Sequence, residues 1–587
     1  MKFVLAALNA KYVHSNLAVY DIEAYTRVNW HKKYGNDESL LLSIKEYTIN
    51  HNLDLIMQSL YKENATLIAF SCYIWNISEV LIIAKELKKV SPSLLIWLGG
   101  PEVSYNSKEL LLDNKFIDGI IVGEGEATFF DLVSKYTGND IELSDIPGIT
   151  YRNLCGEVLC NQPRALLSMD EIPFIYDDLD SFENKILYYE TSRGCPFSCS
   201  YCLSSIDKSV RFRNLSLVKK ELSFFLDSKV KQVKFIDRTF NCDRQRARQI
   251  WQYLCDNDNG ITNFHFEISA DLIEQEDLDI FKRMRPGLIQ LEIGLQTTNT
   301  RSIQEIRRIM DIDKLKSNML AINEMGNIHQ HLDLIAGLPY EDYNSFVESF
   351  NAAYAMKPNQ LQLGFLKVLK GSYMEEQVKE YGLIYRDEQP YEVLATKWIS
   401  YEEILVLKNI EEMVEVYYNS DQFQHTVAYM EGFFDTPFEL YKNLADFYEK
   451  KTVKGIGYKR EARYELLREF FKEHVGDDLL IFDSLLIFDY YLRENAKNRP
   501  SWSGCEPIDK NVYNDFFKNG GNDELSLVKE GYDSKVASRC MHIEPIAGKA
   551  SFWIDGNNRE STCYVVFDYE KRNPLSRDAG YTIISHL

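Results

Sequence analysis

Short apolar segments alternate with helix-like segments in two separate stretches of this 587-residue chain. In the first stretch, up to about residue 165, the segments that resemble strands are 3–8, 67–71, 94–98 and 119–122. Helix-like segments such as 77–89 lie between them. Because strands that alternate with helices form parallel sheets with crossover connections, the sequence predicts an α/β fold with a Rossmann-like sheet here.

The alternation resumes between residues 185 and 375 with barrel-like regularity. Its candidate strands are 187–191, 232–237, 265–269, 288–294, 331–336 and 360–368. Functional residues in barrels cluster where strands end and loops begin. The ends of these six segments are therefore the first places to look for a site.

The rest of the chain has a different pattern. Segments 401–418 and 439–449 have helical periodicity, whereas 551–554 and 563–568 resemble strands. We expect a mainly helical C-terminal domain with a few strands, whose aromatic residues are mostly core. A chain of this length exceeds what one core supports. The predicted division is 1–165 for the Rossmann-like domain, 166–184 for a linker, 185–375 for the barrel and 376–587 for the C-terminal domain.

Charge and cysteine content narrow the function classes. The formal net charge of -22 argues against broad nucleic-acid binding, which needs a basic face. No apolar run reaches the roughly 18 residues of a membrane span, and the short apolar start does not resemble a signal peptide. Eleven scattered cysteines suit a reducing compartment better than a disulfide scaffold. We expect a cytoplasmic enzyme that has no membrane partner.

Three cysteines follow the first predicted barrel strand. Cys195, Cys199 and Cys202 stand on one short loop, and the next cysteine, Cys242, comes forty residues after Cys202. Three thiolates without a near fourth predict an iron–sulfur cluster with one open iron. The alternative is a structural zinc site, which is normally closed by four ligands. The sequence shows no partner pair for such a site.

The run Cys-x-x-x-Cys-x-Tyr-Cys, with Tyr201 as its aromatic residue, resembles the signature of the radical S-adenosylmethionine (SAM) enzymes. The resemblance implies a partial (β/α)6 barrel and a [4Fe-4S] cluster on Cys195, Cys199 and Cys202, whose open iron binds SAM. Reductive cleavage of SAM then gives a 5′-deoxyadenosyl radical. The protein's task in such chemistry is to position cofactor and substrate.

The later strand ends extend the resemblance, in part to the branch that includes anaerobic coproporphyrinogen oxidase. The residues that it assigns to SAM are Tyr201 at the adenine, Asp237 at the amino group, Glu267 or Ser269 after the third strand, Gln296 and Asp333 at the ribose, and Arg308 at the carboxylate. Two assignments have structural alternatives. Asp237 could be a buried acid paired with Arg238, and Arg307 and Arg308 could be helix surface.

Four loops follow the predicted strands of the first domain, and two of them contain Gly-Gly-Pro-Glu and Gly-Glu-Gly-Glu. Glycine lets a backbone approach a ligand closely. The loop set resembles the cobalamin-binding domain fused ahead of many radical SAM enzymes. The resemblance implies cobalamin contacts from Asn9, Tyr12, His14, Ser15, Asn16, Ser71, Tyr73, Trp75, Asn76, Gly99, Gly100, Pro101, Glu102, Gly123, Glu124, Gly125 and Glu126.

The Asp-x-His-x-x-Gly motif that supplies a cobalt-ligating histidine in other cobalamin proteins is missing. His14 is the only histidine in these loops, so we expect cobalamin without histidine ligation to cobalt. A degenerate domain that binds no cofactor is the alternative.

Together these features resemble the cobalamin-binding radical SAM proteins that carry a C-terminal domain of uncharacterised function. The resemblance implies a methyltransferase that methylates an unreactive carbon of an unidentified small molecule or peptide, with flavodoxin or ferredoxin as electron donor. Alternatives are a cobalamin-dependent radical rearrangement or oxidation, a tRNA-modifying methylthiotransferase and a non-catalytic cobalamin or redox sensor. The tRNA alternative is disfavoured by the acidic chain and by a first domain with only Cys72, Cys155 and Cys160.

Overall fold

The computed structural model describes residues 1–35, 40–138, 141–451, 459–476, 478–496, 498–527 and 530–587. Its N-terminal part is built on a seven-stranded sheet. The strands in spatial order are Leu41–Thr48, Lys2–Asn9, Leu67–Ser71, Leu95–Gly99, Gly119–Ile121, Ile149–Arg152 and Val158–Cys160. The first five are parallel and the last two antiparallel. The predicted Rossmann-like α/β sheet is confirmed.

Helices cover both faces of this sheet, which is why its central strands are nearly continuous apolar runs. In the strand Lys2–Asn9, Val4 packs into the core on one face and Phe3 into the core on the other. The helices of this part are Leu17–Tyr34, Leu53–Lys62, Ile77–Val90, Pro101–Ser104, Ser107–Asp113 and Glu126–Tyr136.

The middle part is an open barrel of six parallel strands in which each strand pairs with its neighbour in the chain. They are Leu187–Tyr189, Gln232–Phe235, Asn263–Ile268, Ile289–Gln296, His329–Ala336 and Gln360–Phe365. Along the third strand, Phe264 and Phe266 belong to the core shared with Trp251, while Glu267 lines a polar cavity. The predicted partial (β/α) barrel is confirmed, and its strand ends hold polar side chains.

The helices of this part follow the strands on the outside of the barrel. They are Leu215–Asp227, Arg244–Asp256, Gln275–Phe281, Thr300–Glu305, Ile312–Met325, Tyr343–Tyr354, Tyr373–Glu376 and Val378–Tyr381. Short 3-10 turns occur at Leu143–Asp145, Met169–Glu171, Asp180–Phe182, Leu203–Ser205, Phe240–Cys242, Ala270–Leu272 and Gly548–Ala550. Among the described helices, none is both long and apolar enough to cross a membrane.

The C-terminal part is mainly helical with a few strands, as predicted. Its helices are Tyr401–Tyr417, Gln424–Glu431, Pro437–Lys451, Arg460–His474, Leu479–Arg493, Lys510–Lys518, Ser534–Cys540 and Ser551–Asp555. Its strands are the short pair Ile384–Tyr385 and Val393–Ala395 and the antiparallel sheet of Met541–Ile546, Cys563–Arg572 and Ala579–Ile584. Aromatic residues such as Tyr417, Phe447 and Phe470 are buried in its core.

One predicted element is wrong. Segment 551–554 was expected as a strand, but it lies in the helix Ser551–Asp555. A run of three apolar residues, Phe552 to Ile554, is compatible with both strand and helix periodicity, and only the length of the element distinguishes the two. The helix is ended by Gly556, whose φ of 78° is left-handed.

Candidate active site

The two ends of the loop that carries the three cysteines pair with each other, and this pairing is called the neck of the loop. Ser192 and Arg193 pair antiparallel with Phe212 and Arg211, so the chain leaves and returns at the same place. Gly194 has a φ of 92°, and a Cβ there would clash with the carbonyl oxygen of Ser209. Only glycine fits this position without moving the returning segment.

A buried aspartate holds the base of this loop. The two carboxylate oxygens of Asp237 accept hydrogen bonds from the Thr191 backbone N–H at 3.0 Å, the Thr191 hydroxyl at 2.7 Å and the Ser192 hydroxyl at 2.5 Å. Burial raises the pKa of Asp237, which these bonds partly offset. Asp237 is thus a buried acid, but its partners are a backbone N–H and two hydroxyls rather than the Arg238 of the structural alternative. Its predicted contact with SAM stays a prediction.

The three cysteines lie at the barrel mouth. Cys195 is 9% and Cys199 7% exposed, and Cys202 is half-buried. Cys195 Sγ is 3.6 Å from Thr239 Oγ1. Burial raises the pKa of the Cys199 thiol, and the Arg308 guanidinium, whose Nη1 lies 3.7 Å from the sulfur, works against that rise.

The cysteine loop fits an iron–sulfur cluster by donor type and number, since three soft sulfur ligands occupy one loop. All eleven cysteines are free thiols. Within the described ranges, no three His, Cys, Asp or Glu side chains converge as a ready-made metal site.

A polar cavity of about 150 Å³ lies beside the cysteine loop at the strand ends. Its lining includes five of the seven residues predicted for SAM, namely Glu267, Ser269, Gln296, Arg308 and Asp333. Sequence reasoning missed three further polar lining residues, Arg238, Thr239 and Glu292. The available signal was their position, with Arg238 and Thr239 shortly after the second barrel strand and Glu292 within the fourth. Tyr201 reaches the same place, since its hydroxyl is 3.3 Å from Arg308 Nη1.

The local backbone turns Arg308 into this cavity. The helix Thr300–Glu305 ends before it, and Arg307 has a φ of 57°. The helix-surface alternative is therefore wrong for Arg308, which lines the cavity, whereas Arg307 is exposed just beyond the helix. Arg308 Nη2 donates to the carbonyl of Gly294 at 2.5 Å. A Cβ on Gly294 would meet the end of the Gln296 side chain, so glycine here lets Gln296 lie close to the strand backbone.

Charges inside the cavity set the protonation of two glutamates. Burial, followed by the nearby Glu292 carboxylate, raises the pKa of Glu267 to about 7. Burial also acts to raise the pKa of Glu292, but His265 Nε2 at 2.9 Å and Lys234 Nζ at 3.0 Å lower it to about 2. His331 Nε2 lies 3.1 Å from Asp333 Oδ1. The site thus pairs a charged carboxylate with one that can hold a proton near neutrality.

The loop 9–16 of the first domain contacts the first barrel strand and the residue before it. In the loop 9–16, the Val13 carbonyl accepts from Ile186 N at 2.8 Å, and His14 Nδ1 is 2.5 Å from the Tyr188 hydroxyl. The Ser15 hydroxyl donates to the Ile186 carbonyl at 3.4 Å. Burial lowers the pKa of His14. Tyr12 is 68% exposed.

An unpredicted residue organises the loop 9–16. Glu46 accepts from the side chain of Asn9 at 2.8 Å, from the backbone N–H of Asn16 at 2.8 Å and from the Tyr20 hydroxyl at 2.8 Å, and it also pairs with Lys185. Sequence reasoning missed Glu46 because the strand Leu41–Thr48 was itself not predicted.

The second loop is fixed by its own polar residues. The side chain of Asn76 donates to the carbonyls of Leu8 at 2.9 Å and Ser71 at 3.0 Å. The rings of Tyr73 and Trp75 stack at 4.4 Å. The Asn16 side chain donates to the Ser71 hydroxyl at 3.0 Å, which joins this loop to the first.

The glycines of the other two loops differ in their surroundings. Gly100 has a φ of 111°, and a Cβ there would lie 2.5 Å from the carbonyl oxygen of Cys72. Gly123 has a φ of 82°, with nothing within 4 Å of where a Cβ would stand. A Cβ on Gly125 would lie 2.8 Å from Ile22 Cδ1. The bare backbone at Gly123 fits the close approach of a ligand such as cobalamin, whereas Gly100 and Gly125 serve packing.

The acidic residues of these loops contact the barrel. Glu102 accepts from Lys370 Nζ at 3.1 Å and from the Tyr391 hydroxyl at 2.5 Å. Glu126 accepts from Arg193 Nη2 at 2.6 Å, and Glu124 from Arg211 Nη1 at 3.3 Å. Pro101 begins the short helix Pro101–Ser104, and Gly99 ends its strand. The predicted cobalamin contacts of all these residues stay predictions.

Three family models match successive parts of the chain. A B12 binding domain matches residues 7–133, the radical SAM superfamily matches 189–353, and a protein of unknown function (DUF4080) matches 379–567. The chain is a B12-binding radical SAM protein. Its C-terminal part carries the DUF4080 family, and the first two models span the cobalamin-type loops and the cysteine loop described above.

Relatives of this B12-binding radical SAM protein share parts of it. An uncharacterised methyltransferase of Pyrococcus horikoshii, PH0819, is 34% identical over 29% of this chain and 38% of its own length. The cobalamin-dependent radical SAM methyltransferase TokK of Streptomyces tokunonensis is 24% identical over 54% of this chain and 49% of its own. The matches thus span about half or less of these curated relatives.

The fold also matches a solved structure. The cobalamin-dependent SAM radical enzyme OxsB, with aqua-cobalamin and SAM bound, is 15% identical with a TM-score of 0.57 over 83% of this chain and 78% of OxsB. At this identity the likeness concerns the fold alone.

Proposed function

We propose that this protein is a radical SAM methyltransferase that uses a [4Fe-4S] cluster and cobalamin to methylate an unreactive carbon. The observation that carries the proposal is the juxtaposition of two loop sets. The cysteine loop and the polar cavity lie at one barrel mouth, and the glycine-rich loops of the first domain contact that same mouth through Glu102, Glu124 and Glu126.

In this proposal Cys195, Cys199 and Cys202 hold the cluster, and the cavity beside them receives SAM. The guanidinium of Arg308 lines the cavity, where its planar group can pair with a carboxylate. Its Nη1 lies near Cys199 and Tyr201, and its Nη2 donates to the Gly294 carbonyl. A cluster and cobalamin, when bound, would supply the electron that cleaves SAM and the carrier for the methyl group.

The protein's own residues would supply order and protonation control. Asp237 fixes the strand end before the cysteine loop through Thr191 and Ser192. Glu267, with a pKa of about 7, can hold or release a proton in the cavity. The buried walls on either side would keep water from a reactive radical.

The proposal extends to the whole protein's setting. It keeps the division at 1–165, 185–375 and 376–587, a cytoplasmic location, a small-molecule or peptide substrate and a flavodoxin- or ferredoxin-type electron donor. The curated methyltransferases PH0819 and TokK support methyl transfer over the other radical reactions.

Anaerobic purification and reconstitution with iron, sulfide and cobalamin test the cofactor part. We expect broad iron–sulfur absorption together with the cobalamin bands in the wild type. A variant with Cys195, Cys199 and Cys202 changed to alanine is expected to lose the iron and keep the cobalamin. Cobalamin that washes away from the wild type would contradict the proposal, as would iron that stays in the variant.

A further inference from the structure

The three acidic residues of the glycine-rich loops point away from their own domain. Glu102 and Glu126 are 7% and 3% exposed, so their carboxylates are buried where the first domain meets the barrel. A buried carboxylate is costly unless cations and hydrogen-bond donors satisfy it. The donors to Glu102 and to Oε1 of Glu126 come from the barrel and from the segment that follows it, whereas the buried Oε2 of Glu126 has no partner among the described residues.

Glu102 is held on one side of the barrel mouth. Its Oε1 accepts from Lys370 Nζ at 3.1 Å and from the Tyr391 hydroxyl at 2.5 Å. The Lys370 ammonium also lies 4.8 Å from the centre of the Tyr391 ring. Next to this contact, a Cβ on Gly371 would clash with the ring of Tyr105, so the Gly371 backbone packs directly against that side chain.

Glu124 and Glu126 are held on the other side, at the neck of the cysteine loop. Arg193 donates from Nη2 to Glu126 at 2.6 Å and lies 3.6 Å from Glu124. Arg211, the ladder partner of Arg193, donates to Glu124 and, at 2.5 Å, to the Leu167 carbonyl. The two arginines that close the neck of the cysteine loop therefore both bind one loop of the first domain.

We propose that Glu102, Glu124 and Glu126 are positioning residues that clamp the first domain to the barrel mouth, and that they set the cysteine loop in register with the glycine-rich loops without contacting cobalamin. The clamp has two arms, Glu102 with Lys370 and Tyr391, and the Glu124–Glu126 pair with Arg193 and Arg211. The backbone of each loop, rather than its acid, is left to face a ligand.

The first arm is tested in the cofactor-free full chain, so the outcome does not depend on the proposed function. Hydrogen exchange is followed at the backbone amides of residues 99–104 in Glu102→Gln, in the barrel-side double variant Lys370→Met with Tyr391→Phe, and in the combination. The clamp predicts that each speeds exchange by about tenfold and that the combination is no faster than either, because one contact is lost each time.

Two matched variants sharpen this test. Glu86→Gln breaks the exposed Glu86–Lys89 pair of the same domain and is expected to leave exchange at 99–104 unchanged. Tyr391→Phe alone removes a single hydroxyl, so it serves as the barrel-side variant if the double variant does not fold. Unchanged exchange in the barrel-side variants, or effects that multiply in the combination, would overturn the first arm.

The second arm is tested by the release of iron from the reconstituted protein to a chelator. Glu126→Gln lies in the first domain, yet the clamp predicts that it speeds iron release several-fold, because the neck of the cysteine loop loses an anchor. Arg193→Lys keeps the positive charge and is expected to restore much of the retention lost in Arg193→Gln. Wild-type iron release in Glu126→Gln together with weakened cobalamin binding would instead identify Glu126 as a cobalamin contact.

Discussion

Two glycines with similar backbone angles have different reasons to be glycine. Gly100 and Gly123 both have left-handed φ values, of 111° and 82°, but only Gly100 faces a neighbouring backbone. From the sequence the two motifs looked like equivalent ligand loops. Only the position of the missing Cβ separates a packing role from an open face.

The first prediction separates these roles by substitution. Gly100→Ala is expected to lower the free energy of unfolding by about 2 kcal/mol or more, because strain adds to the clash with Cys72. Gly123→Ala is expected to lower the free energy of unfolding by about 1 kcal/mol. Its larger effect is expected on cobalamin binding, which it weakens. Urea unfolding and absorbance titration with cobalamin measure both. Equal stability losses would contradict the assignment.

The second prediction concerns the protonation of Glu267. Its pKa of about 7 in the folded protein lies above the ordinary value of 4.5, so the folded state binds more protons between these pH values. Stability contributed by this residue therefore falls as pH rises from about 4.5 to 7. Glu267→Gln has no carboxyl group at this position, so it does not show this loss of stability as the pH rises.

We therefore expect the wild type to lose about 2 kcal/mol more unfolding free energy than Glu267→Gln when the pH rises from 5 to 8. Denaturant unfolding of both proteins at the two pH values measures the change. Glu341, whose pKa burial also raises to about 7, is present in both proteins and cancels. Parallel pH profiles of the two proteins would mean that Glu267 is charged throughout.

At the scale of elements, the strand ends were predictable and the ties between them were not. The apolar runs located the six barrel strands to within a few residues, and residues within or shortly after four of these strands line one cavity. The sequence pattern did not mark Arg193 and Arg211, because their role depends on a two-residue ladder and on carboxylates of another domain. Non-local pairing of this kind leaves no trace in local spacing.

The missed and misassigned elements have physical causes. The strand Leu41–Thr48 lies at the sheet edge and carries Lys45 and Glu46, so it lacks the apolar run of a central strand. Glu46 was lost with it. The helix Ser551–Asp555 is too short for a periodicity argument.

The third prediction tests the anchor of the cysteine loop. Asp237→Asn replaces an acceptor oxygen with a donor that faces the Thr191 and Ser192 donors, at a cost of about 1–3 kcal/mol. We expect faster iron loss from the reconstituted protein without SAM, measured with a chelator.

The control for this anchor is Asp243→Ala, which removes the side-chain cap of the helix Arg244–Asp256 at a cost of about 1 kcal/mol. The cap accepts from Arg246 N at 3.0 Å and does not hold the cysteine loop. We expect iron retention like that of the wild type. Equal iron loss in both aspartate variants would show that general destabilisation, not the anchor, controls the loop.

For the whole molecule, the order of the parts carries the functional argument. A B12 binding domain, a radical SAM domain and a DUF4080 domain follow one another, and the first two meet at the barrel mouth. The family resemblance of the motifs made the order predictable from the sequence. The substrate was not predictable, because the C-terminal aromatic residues that could select it are mostly buried in a core.

The most direct test of the account is product analysis after incubation of the reconstituted protein with SAM and a low-potential reductant, with and without cobalamin. Methyl transfer through cobalamin predicts both 5′-deoxyadenosine and S-adenosylhomocysteine, with S-adenosylhomocysteine formed only when cobalamin is bound. Formation of 5′-deoxyadenosine with no S-adenosylhomocysteine, whether or not cobalamin is present, would contradict methyl transfer and leave another radical reaction in its place.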